Sequence, residues 1–248
     1  MTTKPLALLT RPLADATVTQ QQLFDLGIES FIEPMITITP LPHAEQEITT
    51  LIEGGATTLI ITSHNAVRAI ASSIPNNFPI IAVGSKTTQK ISSHGFSNVK
   101  DAGGDVENLI KFIKENYSTE NEHFLYAASD FTSTNLVWEL TKLGFAAKEV
   151  IAYNAKPAQK LSQDCIKLLQ ERRFNLIPLY SKRSCQILTS LLEIERLNSN
   201  ISNTDIFCLS ANVAEPLKAI GHNKIHISNA PNSESLLELI RNFGFTTI

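Results

Sequence analysis

The segment LIITSHNAVRAI, residues 59 to 70, contains the junction that decides the fold. Its first three residues are apolar and typical of a buried strand, and an amphipathic helical pattern begins shortly afterwards. Thr62, Ser63 and Asn65 occupy the junction, where the chain has neither a glycine nor a cluster of charge. The segment therefore predicts a strand that ends in small polar groups and leads directly into a helix.

The same alternation of short apolar runs and longer amphipathic segments continues along almost the whole chain. This pattern is expected when helices cover a parallel sheet, so we predict an α/β fold. Four glycines each follow an amphipathic segment and precede a new apolar run: Gly27, Gly95, Gly144 and Gly221. Glycine closes a helix in the left-handed conformation at little cost, so these positions mark turns from helix to strand.

An internal repeat indicates two similar α/β domains. We name as the A unit the stretch that begins at Leu6 and recurs from His123, and as the B unit the stretch that begins at Leu59 and recurs from Leu176. The chain therefore reads A, B, A, B. The repeat alone leaves open whether each domain combines consecutive units or crossed ones.

Six predicted strands end in small residues that are rich in hydroxyl groups. Ligands of open parallel sheets bind beyond the carboxyl ends of the strands, close to helix N-termini. We therefore expect a cleft that holds an anionic ligand through hydroxyls and backbone amides, although serine and threonine are also ordinary helix caps. The six strand ends are Thr10 with Arg11, Thr62 with Ser63, Gly84 with Ser85, Ala128 with Ser129, Ser181 with Lys182, and Ser210 with Ala211.

The composition is that of a globular protein without a charged partner. The chain has 248 residues, 43% of them hydrophobic and 18% charged, and a formal net charge of -3. This balance predicts neither nucleic acid nor an anionic membrane surface as a partner. The sequence shows no apolar run of signal-peptide or membrane-spanning length, so we expect a cytoplasmic location.

Several chemistries are not supported by any motif. The three cysteines are widely spaced, which predicts reduced, packed thiols, and the histidines show no ligand spacing beyond the weak pair in HNKIH. The sequence has no Walker A motif and no G-x-G-x-x-G after a strand. We therefore expect no metal and no cofactor, and a site that acts by shaping and positioning its substrate.

The chain resembles the uroporphyrinogen-III synthase family over essentially its whole length. The resemblance rests on LLTRP near the start, IITSHNAV, IIAVGSKTTQKI, GGDVENLI and GFAAKEVIAYNA. The second segment is similar to the family signature F-T-S-x-N-A-V, the third contains its V-G-x-x-T core, and the last contains its V-x-x-Y segment. The order and spacing of these short motifs make the resemblance specific.

The resemblance implies two flavodoxin-like parallel-sheet domains joined by a two-stranded linker. The first domain would be discontinuous, residues 1–36 plus 157–248, and the second would span residues 40–152. The linkers would lie near residues 33–42 and 150–157. The units would thus be crossed, and we expect the protein to be a monomer.

The resemblance also implies an activity that needs no cofactor. Members of the family cyclise hydroxymethylbilane, a linear tetrapyrrole with several carboxylates, to uroporphyrinogen III with loss of water and inversion of the last pyrrole ring. Tyr153 matches the family tyrosine proposed to assist departure of the substrate hydroxyl. Substrate contacts would fall on the two matching motifs and on Ser181, which occupies the equivalent place in the first domain; the motif residues are Thr62, Ser63, Asn65, Ala66, Val83, Gly84 and Thr87.

Two departures from the family pattern leave alternatives open. YAASDFTST lacks the glycine and nearby arginine that often follow the fourth strand, and LSANVAE replaces the usual G-P-T-T-A loop. A divergent relative could bind a tetrapyrrole without cyclising it. A different class, a bilobal module that binds or senses a small molecule, would also have two similar α/β lobes.

Overall fold

The computed structural model describes residues 4–131 and 135–245. The chain forms two compact units. Unit 1 comprises Met1–Thr37 and Lys156–Ile248, and unit 2 comprises Ile38–Ala155.

Strands and helices alternate through both units. In chain order the strands are β1 (Leu6–Leu9), β2 (Glu29–Ile32), β3 (Ile36–Pro40), β4 (Thr58–Ile61), β5 (Ile80–Ala82), β6 (Val99–Asp101), β7 (His123–Ser129), β8 (Ala146–Pro157), β9 (Leu176–Leu179), β10 (Asp205–Cys208) and β11 (Ile225–Ile227). The α-helices are α1 (Leu13–Phe24), α2 (Pro42–Glu53), α3 (His64–Ile70), α4 (Ser85–Ser92), α5 (Val106–Asn116), α6 (Leu136–Lys142), α7 (Gln163–Gln170), α8 (Lys182–Ile194), α9 (Ala211–Ala219) and α10 (Ser233–Phe243).

Unit 1 contains a five-stranded parallel sheet with the order β11-β10-β9-β1-β2. Counted within the unit, this is the order 2-1-3-4-5 of flavodoxin-like sheets. Its strands are buried on both faces: Ala7 and Leu9 belong to one core, and Leu8 between them belongs to another. Short apolar runs such as LALL therefore form this sheet because helices cover it on both sides.

Unit 2 repeats the same arrangement and adds one strand. Its sheet has the order β3-β8-β7-β4-β5-β6, and the four pairs from β8 to β6 are parallel. When each A unit is matched with the other A unit and each B unit with the other B unit, the strands β8-β7-β4-β5-β6 correspond to β2-β1-β9-β10-β11. Gly27 and Gly144, the equivalent glycines of the two A units, both have positive φ, 78° and 88°. The predicted fold class, two similar parallel-sheet domains, is confirmed.

Both passages of the chain from one unit to the other lie in strands. The boundary after Thr37 falls in β3, and the boundary after Ala155 falls in β8. The two strands are neighbours in the sheet of unit 2, and the Leu41 N–H just beyond β3 donates to the Ala152 carbonyl at 3.0 Å. The polypeptide at both passages is therefore extended and hydrogen-bonded.

Candidate functional site

The six predicted strand ends are divided equally between the two sheets. β1, β9 and β10 are parallel neighbours in unit 1, and β4, β5 and β7 lie side by side in unit 2. Because neighbouring parallel strands end at the same edge, each unit has three of these ends at one carboxyl edge. The side chains at these two edges are the candidate site residues.

A pair of hydroxyls joins the end of β4 to the middle of β7 in unit 2. Thr62 follows β4, and its Oγ1 lies 3.0 Å from Oη of Tyr126 on β7. Tyr126 is only 5% exposed. Burial raises the pKa of Tyr126, with smaller contributions from Tyr153 and Glu149, while the hydrogen bond to Thr62 lowers it. Thr62 is therefore backed by a neutral, buried phenol that the sequence did not predict as part of the site.

Tyr153 lies at an irregularity of β8. Ala128 pairs with Ile151, but Ser129 pairs with Tyr153, so β8 has one extra residue at this point. Such bulges re-aim side chains and are frequent beside active sites. Tyr153 is 6% exposed, and none of the hydrogen bonds found among the described residues engages its hydroxyl. The phenol therefore keeps its capacity to donate a hydrogen bond.

Asp130, the residue after β7, fixes the backbone at this bulge and just beyond it. Its N–H donates to the Tyr153 carbonyl at 3.0 Å. Its carboxylate accepts the N–H of Ala155 at 2.7 Å. Both contacts hold β8 where the chain leaves unit 2, which gives Asp130 a positioning role that the sequence did not reveal.

The start of α3 contains the other residues of the first motif. Ser63 caps the helix, and its hydroxyl accepts the Asn65 N–H at 3.3 Å. The side-chain oxygen of Asn65 is buried without a hydrogen-bond partner among the described residues. Ala66 is fully buried, so its methyl group packs in the core instead of facing a ligand.

The second motif forms the turn between β5 and α4. A Cβ atom on Gly84 would lie 3.3 Å from the Cα of Gly104, whose φ of +130° is itself accessible mainly to glycine. The Gly104 N–H also donates to the Val83 carbonyl, and the Val83 side chain packs against the core. Thr87, in the first turn of α4, is 9% exposed. A side chain at Gly84 would thus crowd the backbone at Gly104.

In unit 1, the Arg11 side chain is fixed by contacts with three neighbouring side chains. Its guanidinium contacts the Asp15 carboxylate at 3.2 Å and donates to the Thr19 hydroxyl at 3.0 Å. The guanidinium also lies 4.1 Å from the ring centre of Tyr180. Burial raises the pKa of Tyr180, and the positive charge of Arg11 opposes that shift. Thr10 is fully buried, and its hydroxyl has no hydrogen-bond partner within the described structure.

The three remaining serines make local hydrogen bonds to the backbone. The Ser129 hydroxyl donates to the Phe131 carbonyl. Ser181 caps α8 by accepting the N–H of residue 184 at 3.1 Å, and Ser210 caps α9 by accepting the N–H of residue 213 at 3.4 Å. Each of these hydroxyls therefore stabilises the turn that contains it.

The histidines of HNKIH make contacts within unit 1. A ring nitrogen of His222 lies 3.1 Å from the Thr204 carbonyl oxygen, and His226 lies 2.8 Å from the Asp205 carboxylate. The described residues contain no group of three or more potential ligands that could hold a metal ion. None of the helices in the described parts of the chain has both the length and the apolar character that crossing a bilayer requires.

Comparison with known proteins identifies the family. The model of the HEM4 family, described as uroporphyrinogen-III synthase HemD, matches residues 17–238. The chain belongs to the uroporphyrinogen-III synthase family. The family and the ring-closing lyase activity predicted from the sequence are thereby confirmed. No curated protein matched the sequence.

Two solved structures of uroporphyrinogen-III synthases share the fold. The enzyme from Helicobacter pylori is 17% identical, with a TM-score of 0.64, and the match covers 98% of this chain and 100% of that one. A mutant enzyme from Thermus thermophilus is 13% identical, with a TM-score of 0.62, and the match covers 96% and 97%. At these identities, the structures establish the common fold.

Proposed function

We propose that this uroporphyrinogen-III synthase converts hydroxymethylbilane to uroporphyrinogen III, using Tyr153 as a hydrogen-bond donor to the departing hydroxyl. The observation that carries this assignment is the position of Tyr153 at the bulge of β8, with a hydroxyl that makes no hydrogen bond within the described structure. The nearby Thr62–Tyr126 pair adds further hydroxyl groups at the same edge.

The substrate supplies most of the reactivity in this reaction. A pyrrole nitrogen can drive out the hydroxyl as water and leave an azafulvene, which the last pyrrole ring then attacks through its substituted carbon. The protein must hold the chain in the reactive geometry and exclude water. A phenol that donates to the leaving oxygen would stabilise the charge that develops on it.

Substrate carboxylates are proposed to bind mainly at the carboxyl edge of unit 2. Thr62 and Thr87 supply hydroxyls there, and Gly84 permits close approach of the backbone. The Asn65 amide can donate through its nitrogen to a carboxylate. In unit 1, Arg11 keeps part of its side chain exposed, 19%, and supplies positive charge while remaining bound to Asp15.

Four serines are proposed to act through the turns that they stabilise, namely Ser63, Ser129, Ser181 and Ser210. At these positions the backbone groups would lie nearer to the ligand than the hydroxyls. The same holds for the buried residues Thr10 and Ala66 and for the partly buried Val83. We also propose that the protein works as a cytoplasmic monomer, without cofactor, metal or nucleic acid. Size-exclusion chromatography with light scattering would test the monomeric state.

The decisive experiment is isomer analysis of the porphyrin formed from hydroxymethylbilane. Wild-type protein should give the inverted isomer III, whereas spontaneous closure gives the uninverted ring. Binding without acceleration of closure would instead support the alternative of a tetrapyrrole-binding relative. The bilobal small-molecule sensor is the expected function only if hydroxymethylbilane does not bind.

The role of Tyr153 is tested with Tyr153→Phe, which removes one hydroxyl and keeps the ring. A hydrogen bond that strengthens in the transition state contributes about 2 to 4 kcal/mol, or about 30-fold to 1,000-fold in rate. We expect the lower half of that range, because the substrate can ionise unaided, and we expect isomer III to remain the product. Full activity of a folded Tyr153→Phe variant would eliminate the proposed role.

A further inference from the structure

The surroundings of the Thr62–Tyr126 pair indicate which of the two hydroxyls donates the hydrogen bond. The two oxygens are 3.0 Å apart, and either could be the donor by distance alone. Tyr126 is almost completely buried, whereas Thr62 at the end of β4 is half-buried. The two hydroxyls therefore differ in their access to other partners.

Burial decides the direction. A hydroxyl has one proton to donate and can accept at its lone pairs. Thr62 is the only hydrogen-bond partner of the Tyr126 hydroxyl within the described residues. If Thr62 donated inward, the buried phenol proton would have no acceptor, and leaving a buried donor unsatisfied is costly. Burial also raises the pKa of Tyr126, so the phenol keeps its proton at neutral pH.

We propose that Tyr126 is a positioning residue that donates to Thr62 and so makes the Thr62 hydroxyl a donor toward the substrate. Thr62 then presents its own proton to an acceptor, and a substrate carboxylate is the group of that chemistry. The pair therefore keeps the Thr62 proton free for an acceptor group on the substrate. The proposal rests on the proposed ring closure and adds the hydrogen-bond polarity of one contact. Tyr126 itself contacts no reacting atom.

The first test uses stability and needs no substrate. Tyr126→Phe, Thr62→Val and the double variant are compared with wild type by urea denaturation. Each single change should shift the unfolding equilibrium constant about 3-fold to 10-fold toward the unfolded state, the effect of one typical hydrogen bond.

The informative comparison is Tyr126→Phe in the Thr62→Val background. Thr62→Val leaves the phenol proton buried without an acceptor. Adding Tyr126→Phe removes that orphan donor, so the double variant should be as stable as Thr62→Val or more stable. Equal destabilisation by Tyr126→Phe in both backgrounds would show that the two hydroxyls do not interact. A Tyr126→Phe single variant as stable as wild type would show that Thr62 is the donor, because the phenol proton would then already lack an acceptor. Either result would overturn the proposal.

The second test uses steady-state kinetics with hydroxymethylbilane. Tyr126→Phe should raise KM about 3-fold to 10-fold and change kcat less than about 2-fold, because the pair supports a binding contact and not the chemical step. Tyr117→Phe is the matched control. Its ring packs against Phe124 in the same unit, and we expect KM to be unchanged.

The two tests separate this proposal from the proposed function. A wild-type protein that does not cyclise hydroxymethylbilane would refute the function, and the stability comparison would still decide which hydroxyl is the donor. In an active enzyme, an unchanged KM or a loss confined to kcat in Tyr126→Phe would refute the positioning role.

Discussion

Raising the pH from neutral to about 10 should destabilise unit 1, because the three cysteines of the chain are buried there. Cys165, Cys185 and Cys208 are each 0% exposed. Burial raises the pKa of each thiol to about 12. For Cys165, the nearby Glu33 carboxylate raises the pKa further.

The direction follows from the raised pKa values. The folded chain keeps thiol protons that the unfolded chain, with ordinary pKa values near 9.0, releases. The stabilising contribution is therefore complete below pH 9 and is lost as the pH rises toward 12. By linkage, one thiol costs about 0.4 kcal/mol at pH 9 and about 1.4 kcal/mol at pH 10. Three thiols together cost about 4 kcal/mol at pH 10, a large part of the usual stability of a domain.

The assay is urea denaturation by far-UV circular dichroism between pH 7 and pH 10. Thiol labelling at each urea concentration identifies the transition of unit 1, because all three cysteines are in that unit. The matched control combines Cys165→Ala, Cys185→Ala and Cys208→Ala. Its cavities will lower stability at neutral pH, but its free energy of unfolding should fall less with pH. The same pH slope in control and wild type would refute the reasoning.

Three further changes have defined outcomes. Ser181→Ala should raise KM for hydroxymethylbilane less than Thr62→Val does, because the Ser181 hydroxyl already caps a helix; steady-state kinetics showing the reverse order would refute this. Gly84→Ala should cost about 1 to 2 kcal/mol in urea denaturation, because its Cβ would lie 3.3 Å from a backbone atom. Glu33→Gln should also cost about 1 to 2 kcal/mol in the same assay, because both carboxylate oxygens accept hydrogen bonds from Ser162. Unchanged midpoints would contradict the last two.

The fold could be predicted because its signals are local. Apolar runs, amphipathic segments and the glycines at residues 27 and 144 are each visible within one strand and helix, and the repeat shows that they recur. The sequence gives no comparable signal for the bulge at Ser129 and Tyr153, where neither glycine nor proline interrupts the strands. Bulges of this kind depend on how two strands meet across the sheet, which local patterns do not encode.

The contacts of the candidate site were less predictable because they join distant parts of the chain. Tyr126 reads as one more residue of a buried strand, and its partner Thr62 is 64 residues away. A weak signal exists: a tyrosine in an apolar strand usually finds a partner for its hydroxyl. The contact of Arg11 with Tyr180 was equally hard to predict, because Arg11 lies in the first A unit and the Tyr180 ring lies in the second B unit.

The strand-end hydroxyls differ in how much hydrogen-bonding capacity they retain. Four serines already bond to nearby backbone groups, namely Ser63, Ser129, Ser181 and Ser210. At the edge of unit 2, by contrast, Thr62 keeps its own proton if Tyr126 is the donor, the Asn65 side-chain oxygen has no partner in the described structure, and the Tyr153 hydroxyl makes no hydrogen bond there. A ligand gains most from groups that the fold has not already satisfied. In unit 1, the Thr10 hydroxyl also has no partner within the described residues, but Thr10 is fully buried, whereas Thr62 and Asn65 are half-buried. This difference in exposure favours unit 2 as the principal source of side-chain contacts to the substrate.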